Sequence, residues 1–268
     1  MTAYELYRQA KLDEAIDAAL HRVKTAPTDV DGRLLLCDLL CLDSQLERAE
    51  RQLDVLTDQD SGLAAGVAVY RRLIRAESIR REVFRSGGSP EGVDEFTDAL
   101  QLHLLAAGAL REGNEQAAGD FLRQAEPLRE GIKGDCDGQS FEDLRDLDDV
   151  TAPFLEVLTT TGKYYWIAWE RLQSLEFRPP KYLRDLLWRQ TEMVIRDGPT
   201  AQVYVPVLYP GSRVGRDPEL RLGRRTEWIE RTGGVTTGIG QRTLLVGDED
   251  KPILSIGRIS FSAGLAAA

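Results

Sequence analysis

The sequence predicts an α+β protein: an N-terminal, tetratricopeptide-like all-helical domain followed by a small β-rich, barrel-like domain. Three observations carry this. Apolar residues recur at helical spacing through the first half and switch to period two in the second. A set of small and larger residues repeats at an interval of 34 positions. The charge is also split: residues 1–150 carry 18 basic and 31 acidic groups, net −13, whereas residues 151–268 carry 16 and 13, net +3. Two units with different surfaces would show this asymmetry.

In the first half, Leu12, Ala15, Ala19 and Val23 share a helical face, and Pro27 with Asp29 ends the run. Thirty-four residues on, Leu46, Ala49, Leu53 and Thr57 fall into register, with Ser61 in the place of Pro27. A further 68 residues brings Asn114, Ala117, Phe121 and Ala125. In tetratricopeptide arrays the small residue lets two helices cross closely and the larger one fills the neighbouring gap. The usual aromatic positions are mostly aliphatic here, so another small helical bundle is the alternative. Between the second and third copies lies a longer helix, Leu63 to Phe84, with Val67, Tyr70, Leu73, Ile74 and Glu77 on one stripe. Its arginines Arg71, Arg72, Arg75, Arg80 and Arg81 suit either an acidic partner or the solvated face of a scaffold helix. "RSGGSPEG" breaks this helix, and Val93 to Leu110 forms the next. Helical arrays present a concave surface on which a peptide or helix can dock.

The domains read as 1–130 helical, 131–152 an acidic connection and 153–268 β-rich. In the connection, Phe141 and Leu144 should cover apolar surface while the carboxylates stay wet. "PFLEVL" then reads as a short helix stopped by "TTTG". Seven period-two segments follow: "YYWIAW", "LQSLEF", "TEMVIRD", "AQVYVPVLYPG", "RTEWIE", "TTGIGQRTLLVGD" and "PILSIGRISF". "PPKYLRDLLW" inserts a helical turn, and Gly211, Gly233, Gly234 and Gly247 supply turns. A closed or half-closed sheet would remove exposed edges. The run Tyr164 to Trp169 is bulky on both faces, so Trp166 and Trp169 should divide their roles. One should anchor the β core, and the other should seal the interface to the acidic joint or the helical half.

Chemistry is sparsely signalled. The formal charge of −10 argues against nucleic-acid binding, which needs a basic surface. His21 and His103 stand alone, without a second ligand at metal spacing, and read as ordinary surface or core histidines. Cys37 and Cys41 share a helical face and Cys136 is remote, which fits a reduced cytoplasmic chain. Asp135 and Asp137 invite calcium, but Gly138 is misplaced for the loop and Asp146 stands where a bidentate Glu is needed. "GGVTTGIG" fits neither nucleotide-binding glycine pattern. Arg213 and Arg216 in "YPGSRVGR" suit an anion or a solvated turn. Glu142, Asp143, Asp146, Asp148 and Asp149 leave one enzymatic alternative, a carboxylate-dependent hydrolase of cell-wall or carbohydrate material. No catalytic, cofactor-binding or metal residue is assigned. The expectation is no enzyme and no cofactor, with neither a secretory signal in "MTAYELYRQAKLDEAI" nor a bilayer-spanning run.

Longer strings are more specific. "LLLCDLLCLDSQLERAERQLDVL", "YRRLIRAESIRREVF", "GQSFEDLRDLDDVTAPFLEVL", "GKYYWIAWERLQSLEFRPPKYLRDLLWR", "YPGS", "LRLGRRTEW" and "GIGQRTLLVGD" occur in this order. Over nearly its full length the chain thereby resembles the ImpE family, also called TagJ-like proteins, accessory components of bacterial type VI secretion systems. Ala168 departs from a proline common in the family, and the "SAGLAAA" tail looks lineage-specific. The resemblance implies a non-catalytic adaptor whose partner is the small subunit of the contractile sheath, bound through that subunit's N-terminal helix. It also implies an influence on sheath assembly or turnover, with an indirect link to the sheath-recycling ATPase, and no nucleic-acid or membrane partner. It supplies no residue-level interface, and a structural scaffold without a peptide ligand is the remaining alternative.

Overall fold

A computed structural model describes residues 1–59, 61–212 and 217–262. Arg213 and Arg216, and the tail beyond Ser262, lie outside the described residues. The first half is helical: α1 (Ala3–Arg8), α2 (Leu12–Thr25), α3 (Val30–Leu42), α4 (Leu46–Gln59), α5 (Ala64–Arg85), α6 (Asp98–Arg111) and α7 (Glu115–Ala125). Their starts are set by local chemistry. Thr2 and Glu5 close a capping box on α1, and Asp29, Thr97 and Asn114 each accept a backbone N–H in the first turn of α3, α6 and α7. Helices α2 and α4 begin 34 residues apart and bury the expected stripes, Leu12, Ala15, Ala19 and Val23 in one and Leu46, Ala49 and Leu53 in the other. In the third copy Asn114 is the cap, Ala125 is buried, and Ala117 and Phe121 are half-buried.

The second half contains β1 (Gly134–Cys136), β2 (Gln139–Phe141), β3 (Leu144–Asp146), β4 (Phe154–Thr159), β5 (Tyr164–Ala168), β6 (Leu172–Phe177), β7 (Trp188–Ile195) and β8 (Thr200–Pro206). After the short α8 (Pro218–Arg221) come β9 (Thr226–Arg231), β10 (Val235–Gly240), β11 (Thr243–Val246), β12 (Glu249–Pro252) and β13 (Arg258–Phe261). Antiparallel pairing gives an eight-stranded sheet in the order β2-β1-β13-β6-β7-β8-β4-β5, a β9–β10 hairpin and a three-stranded sheet β12-β11-β3. Among the described residues β2 and β5 are the ends of the large sheet. The β5 end is covered: Glu91 accepts from Trp166 N–H and donates its own N–H to Tyr164 carbonyl, so a loop from the helical half takes the place of a further strand.

Two expected helices are corrected. "PFLEVL" is strand β4, not a helix: Phe154, Leu155, Glu156, Val157 and Leu158 are all buried, and β5 and β8 flank them. Burial on both faces is the mark of a central strand, whereas a surface helix would expose one side. The helix expected from Val93 starts at Asp98, because Thr97 supplies the cap and Glu91 is engaged with β5. All seven period-two segments contain strands; "TTGIGQRTLLVGD" and "PILSIGRISF" are each divided between two. One continuous apolar core runs from α1 through α5 into the sheet, and a small second cluster of Ala106, Ala109, Ala118 and Val235 joins α6 and α7 to the β9–β10 hairpin.

Candidate functional site

The aromatic run that begins at Tyr164 lies at the seam between the halves. Trp166 stacks on Phe154 with ring centroids 4.0 Å apart and also meets Phe84 of α5 and Phe96. Trp169, just beyond β5, donates its indole N–H to Ala152 carbonyl at 2.9 Å and packs against Phe261. Trp166 therefore faces the helices and Trp169 the β core, the division the two-sided pattern predicts, and both are buried.

Behind Trp166 lies a buried ionic chain. Arg80 of α5 makes a two-pronged contact with Glu156 of β4, Nε to Oε1 at 2.7 Å and Nη2 to Oε2 at 3.0 Å, and Nη2 also donates to Leu208 carbonyl. Arg242, in the break between β10 and β11, donates to the same Oε2 of Glu156 and to Asp146. Tyr164 donates to Glu156 and receives the Trp166 indole N–H, and Tyr209 donates to Asp146 at 2.6 Å. Glu77 of α5 sits 3.6 Å from Arg80 and accepts from the Trp188 indole. Arg80 is 5% exposed; Glu156, Arg242 and Asp146 are fully buried. Burial pushes the Glu156 carboxyl upward, but Arg80 and Arg242 outweigh it and hold it down at about 2. This ionic chain fastens the helical half to the sheet.

The α5 arginines are thus not one surface. Arg71 pairs with Asp54, Arg72 reaches Thr160 carbonyl, Arg81 reaches Ser44 carbonyl and Glu77, and Arg80 is interior. The acidic segment needs a similar correction. Phe141 and Leu144 are buried as expected, but Asp146 and Asp148 are buried too, not wet. Asp146 is neutralised by Arg242, while Asp148 accepts the backbone N–H groups of Val150 at 2.9 Å and Gly238 at 2.8 Å. Burial, with the neighbouring Asp146 charge, pushes Asp148 up to about 7. Asp143 is bound by Arg129, Glu142 by Lys133, and Asp149 by Thr236 N–H and Arg145. Asp135 and Asp137 cap turns, accepting from Gly138 N–H and from Gly257 and Arg258 N–H. His21 is exposed; His103 is buried, its Nδ1 2.8 Å from Val150 carbonyl, and burial lowers it to about 4. The sequence analysis singles out neither Glu156 nor Arg242, although Glu156 is a lone charge inside the apolar run of β4.

At the margin of this seam the molecule opens into a cleft of about 300 Å³. Phe84 and Arg85 from the end of α5, and Ala107, Leu110 and Arg111 from the end of α6, form one wall. The β9–β10 hairpin supplies Ile229, Arg231, Thr237 and Ile239, and Asp148, Val150 and Thr151 lie at the base. The hairpin is held there by close backbone approach, since a Cβ on Gly119 of α7 would lie 2.3 Å from Gly233 carbonyl oxygen. Gly233 and Gly234 both have positive φ, which the turn requires. Exposed Trp228 packs edge-on against Tyr209 on the other side of β9.

Comparison with known proteins adds three findings. A family model described as "ImpE protein" matches residues 138–260. The chain is 30% identical over 261 residues to a Pseudomonas aeruginosa protein named "Type VI secretion system accessory component TagJ", covering 97% of this chain and 91% of that one. Its fold is that of the crystal structure of protein VPA1032 from Vibrio parahaemolyticus, with a TM-score of 0.91 over 99% of both chains at 23% identity.

Proposed function

The chain belongs to the ImpE family, and from that premise we propose that it is a non-catalytic accessory protein of a bacterial type VI secretion system, acting in the cytoplasm as an adaptor for the contractile sheath. Its partner in this reading is the small sheath subunit, bound through that subunit's N-terminal helix, and binding influences sheath assembly or turnover. The single observation that carries it is the similarity to the Pseudomonas accessory component along nearly the whole chain, helical and β-rich halves together. One feature supports the non-catalytic part of it: the acidic side chains of the joint are engaged by arginines, a lysine and backbone N–H groups. Among the described residues no helix is long and apolar enough to cross a membrane.

Titration calorimetry of the full chain with a synthetic peptide of the small sheath subunit's N-terminal helix tests the proposal. Saturable binding at or below tens of micromolar is expected. Absence of heat with a folded sample, together with no co-elution of the full-length subunit, would remove the sheath reading.

A further inference from the structure

We propose that the cleft between α5, α6 and the β9–β10 hairpin is a docking site for an acidic, amphipathic segment of a partner protein. One apolar side chain enters between Phe84, Leu110 and Ile229, and the carboxylates beside it meet Arg85 and Arg111. The proposal goes beyond the sheath reading and does not depend on it.

The charge of the cleft specifies the occupant. Three arginines line it against one carboxylate, Asp148, whose oxygens are already committed to Val150 and Gly238 N–H groups. Arg231 is tied to Thr237 and to Glu115, and Arg111 gives Nη1 to Val83 carbonyl. The side chain of Arg85, the last residue of α5, is exposed and makes no hydrogen bond or ion pair among the described residues. On a chain of net charge −10, this is a local basic rim around apolar walls. A carboxylate-bearing segment finds complementary charge there, and a basic one is repelled.

The apolar walls decide between a peptide and a small anion. Exposed or half-buried guanidinium groups stay hydrated and hold a free anion weakly. An aliphatic or aromatic side chain placed against Phe84, Leu110 and Ile229 adds desolvation that an inorganic anion lacks. Ile229, at 36% exposed, already presents apolar surface at the rim. Because α5, α6 and the hairpin each contribute, an occupant would contact both halves of the molecule at once.

The test is a peptide-display selection on the full chain with a random library of about 12 residues, enough for roughly three helical turns. Enriched sequences should carry Asp or Glu within one turn of a large apolar residue. Their affinity should fall at least about tenfold for Arg85→Glu and for Ile229→Asp, and a selected peptide with its acids changed to Lys should regain affinity for Arg85→Glu. Hydrogen exchange on the unmodified protein with the best peptide bound should show protection at residues 107–111 and 228–231, which keeps the test independent of how the variants fold. Enriched peptides without acidic residues, undiminished binding to both variants, protection elsewhere, or no enrichment at all would each overturn the proposal.

Discussion

Arg80 and Arg85 stand on the same helix five residues apart, and their surroundings give them opposite roles. Arg80 faces the sheet, is almost sealed from water and shares Glu156 with Arg242. Arg85 lies past the last buried contact of α5, at the mouth of the cleft, with water as its neighbour. An interior guanidinium pays for desolvation through ideal two-pronged geometry and belongs to the scaffold. A rim guanidinium contributes little to folding and is available to a partner. The contrast teaches that the basic stripe of α5 must be divided by burial before any of it is read as a binding surface.

The sharpest way to break the comparison is to remove the shared anion. Glu156→Gln leaves Arg80 and Arg242 facing each other in the interior, and we expect a loss of about 3–5 kcal/mol in chemical denaturation. A loss under about 1 kcal/mol would mean that the buried chain is not what fastens the halves. Acid should act through the same group. Held at about 2, the Glu156 carboxyl contributes stability that is complete above its ordinary value of 4.5 and is lost as the pH falls toward 2.

Asp148 carries the opposite sign. With its carboxyl raised to about 7, its favourable contribution is complete below the ordinary 3.8 and is lost as the pH rises through 7. Asp148→Asn fixes a neutral side chain at this position. It should therefore gain on the parent by on the order of 2 kcal/mol between about pH 5 and about pH 8, whatever constant penalty its lost acceptor imposes. Urea midpoints of the two proteins across that range measure the slope. His103 is common to both and cancels from the difference. A parallel pair of curves would place the Asp148 titration elsewhere.

Much of the fold was legible because burial leaves a period in the sequence. Leu12, Ala15 and Ala19 mark a helix face, and the alternation from Tyr164 onward marks strands. β4 was misread because its apolar residues lie on both faces and its one charge, Glu156, resembled the polar side of a helix. Strands β1, β2 and β3 have three residues each, too short for a period to register. The ionic chain and the cleft leave no periodic signal. Arg80 and Glu156 are 76 positions apart, Glu156 and Arg242 are 86 apart, and the cleft is assembled from Phe84, Leu110 and Ile229 on three separate elements. Residues brought together only by tertiary structure have no spacing to betray them, although a lone charge in an apolar run, as at Glu156, is a usable hint of a buried pair.

Smaller effects sharpen the outer side of the comparison. Gly119→Ala would drive a methyl group toward Gly233 carbonyl, separating α7 from the hairpin that forms one cleft wall. A loss of about 1–3 kcal/mol is expected, with faster amide exchange concentrated in β9 and β10. A global loss of protection would instead make the hairpin part of the main cooperative unit.

The smallest expected effect is the most telling. Arg85→Ala removes a charge that has no partner among the described residues and a side chain that is exposed. Its stability should stay within about 0.5 kcal/mol of the parent, as measured by the same denaturation used for Glu156→Gln. If Arg85 instead costs several kcal/mol, it is a structural group like Arg80, and the rim of the cleft is part of the scaffold. If it costs nothing, its position beside Phe84 and Ile229 has no folding role to explain it, and the difference between two arginines five residues apart reduces to what each one faces.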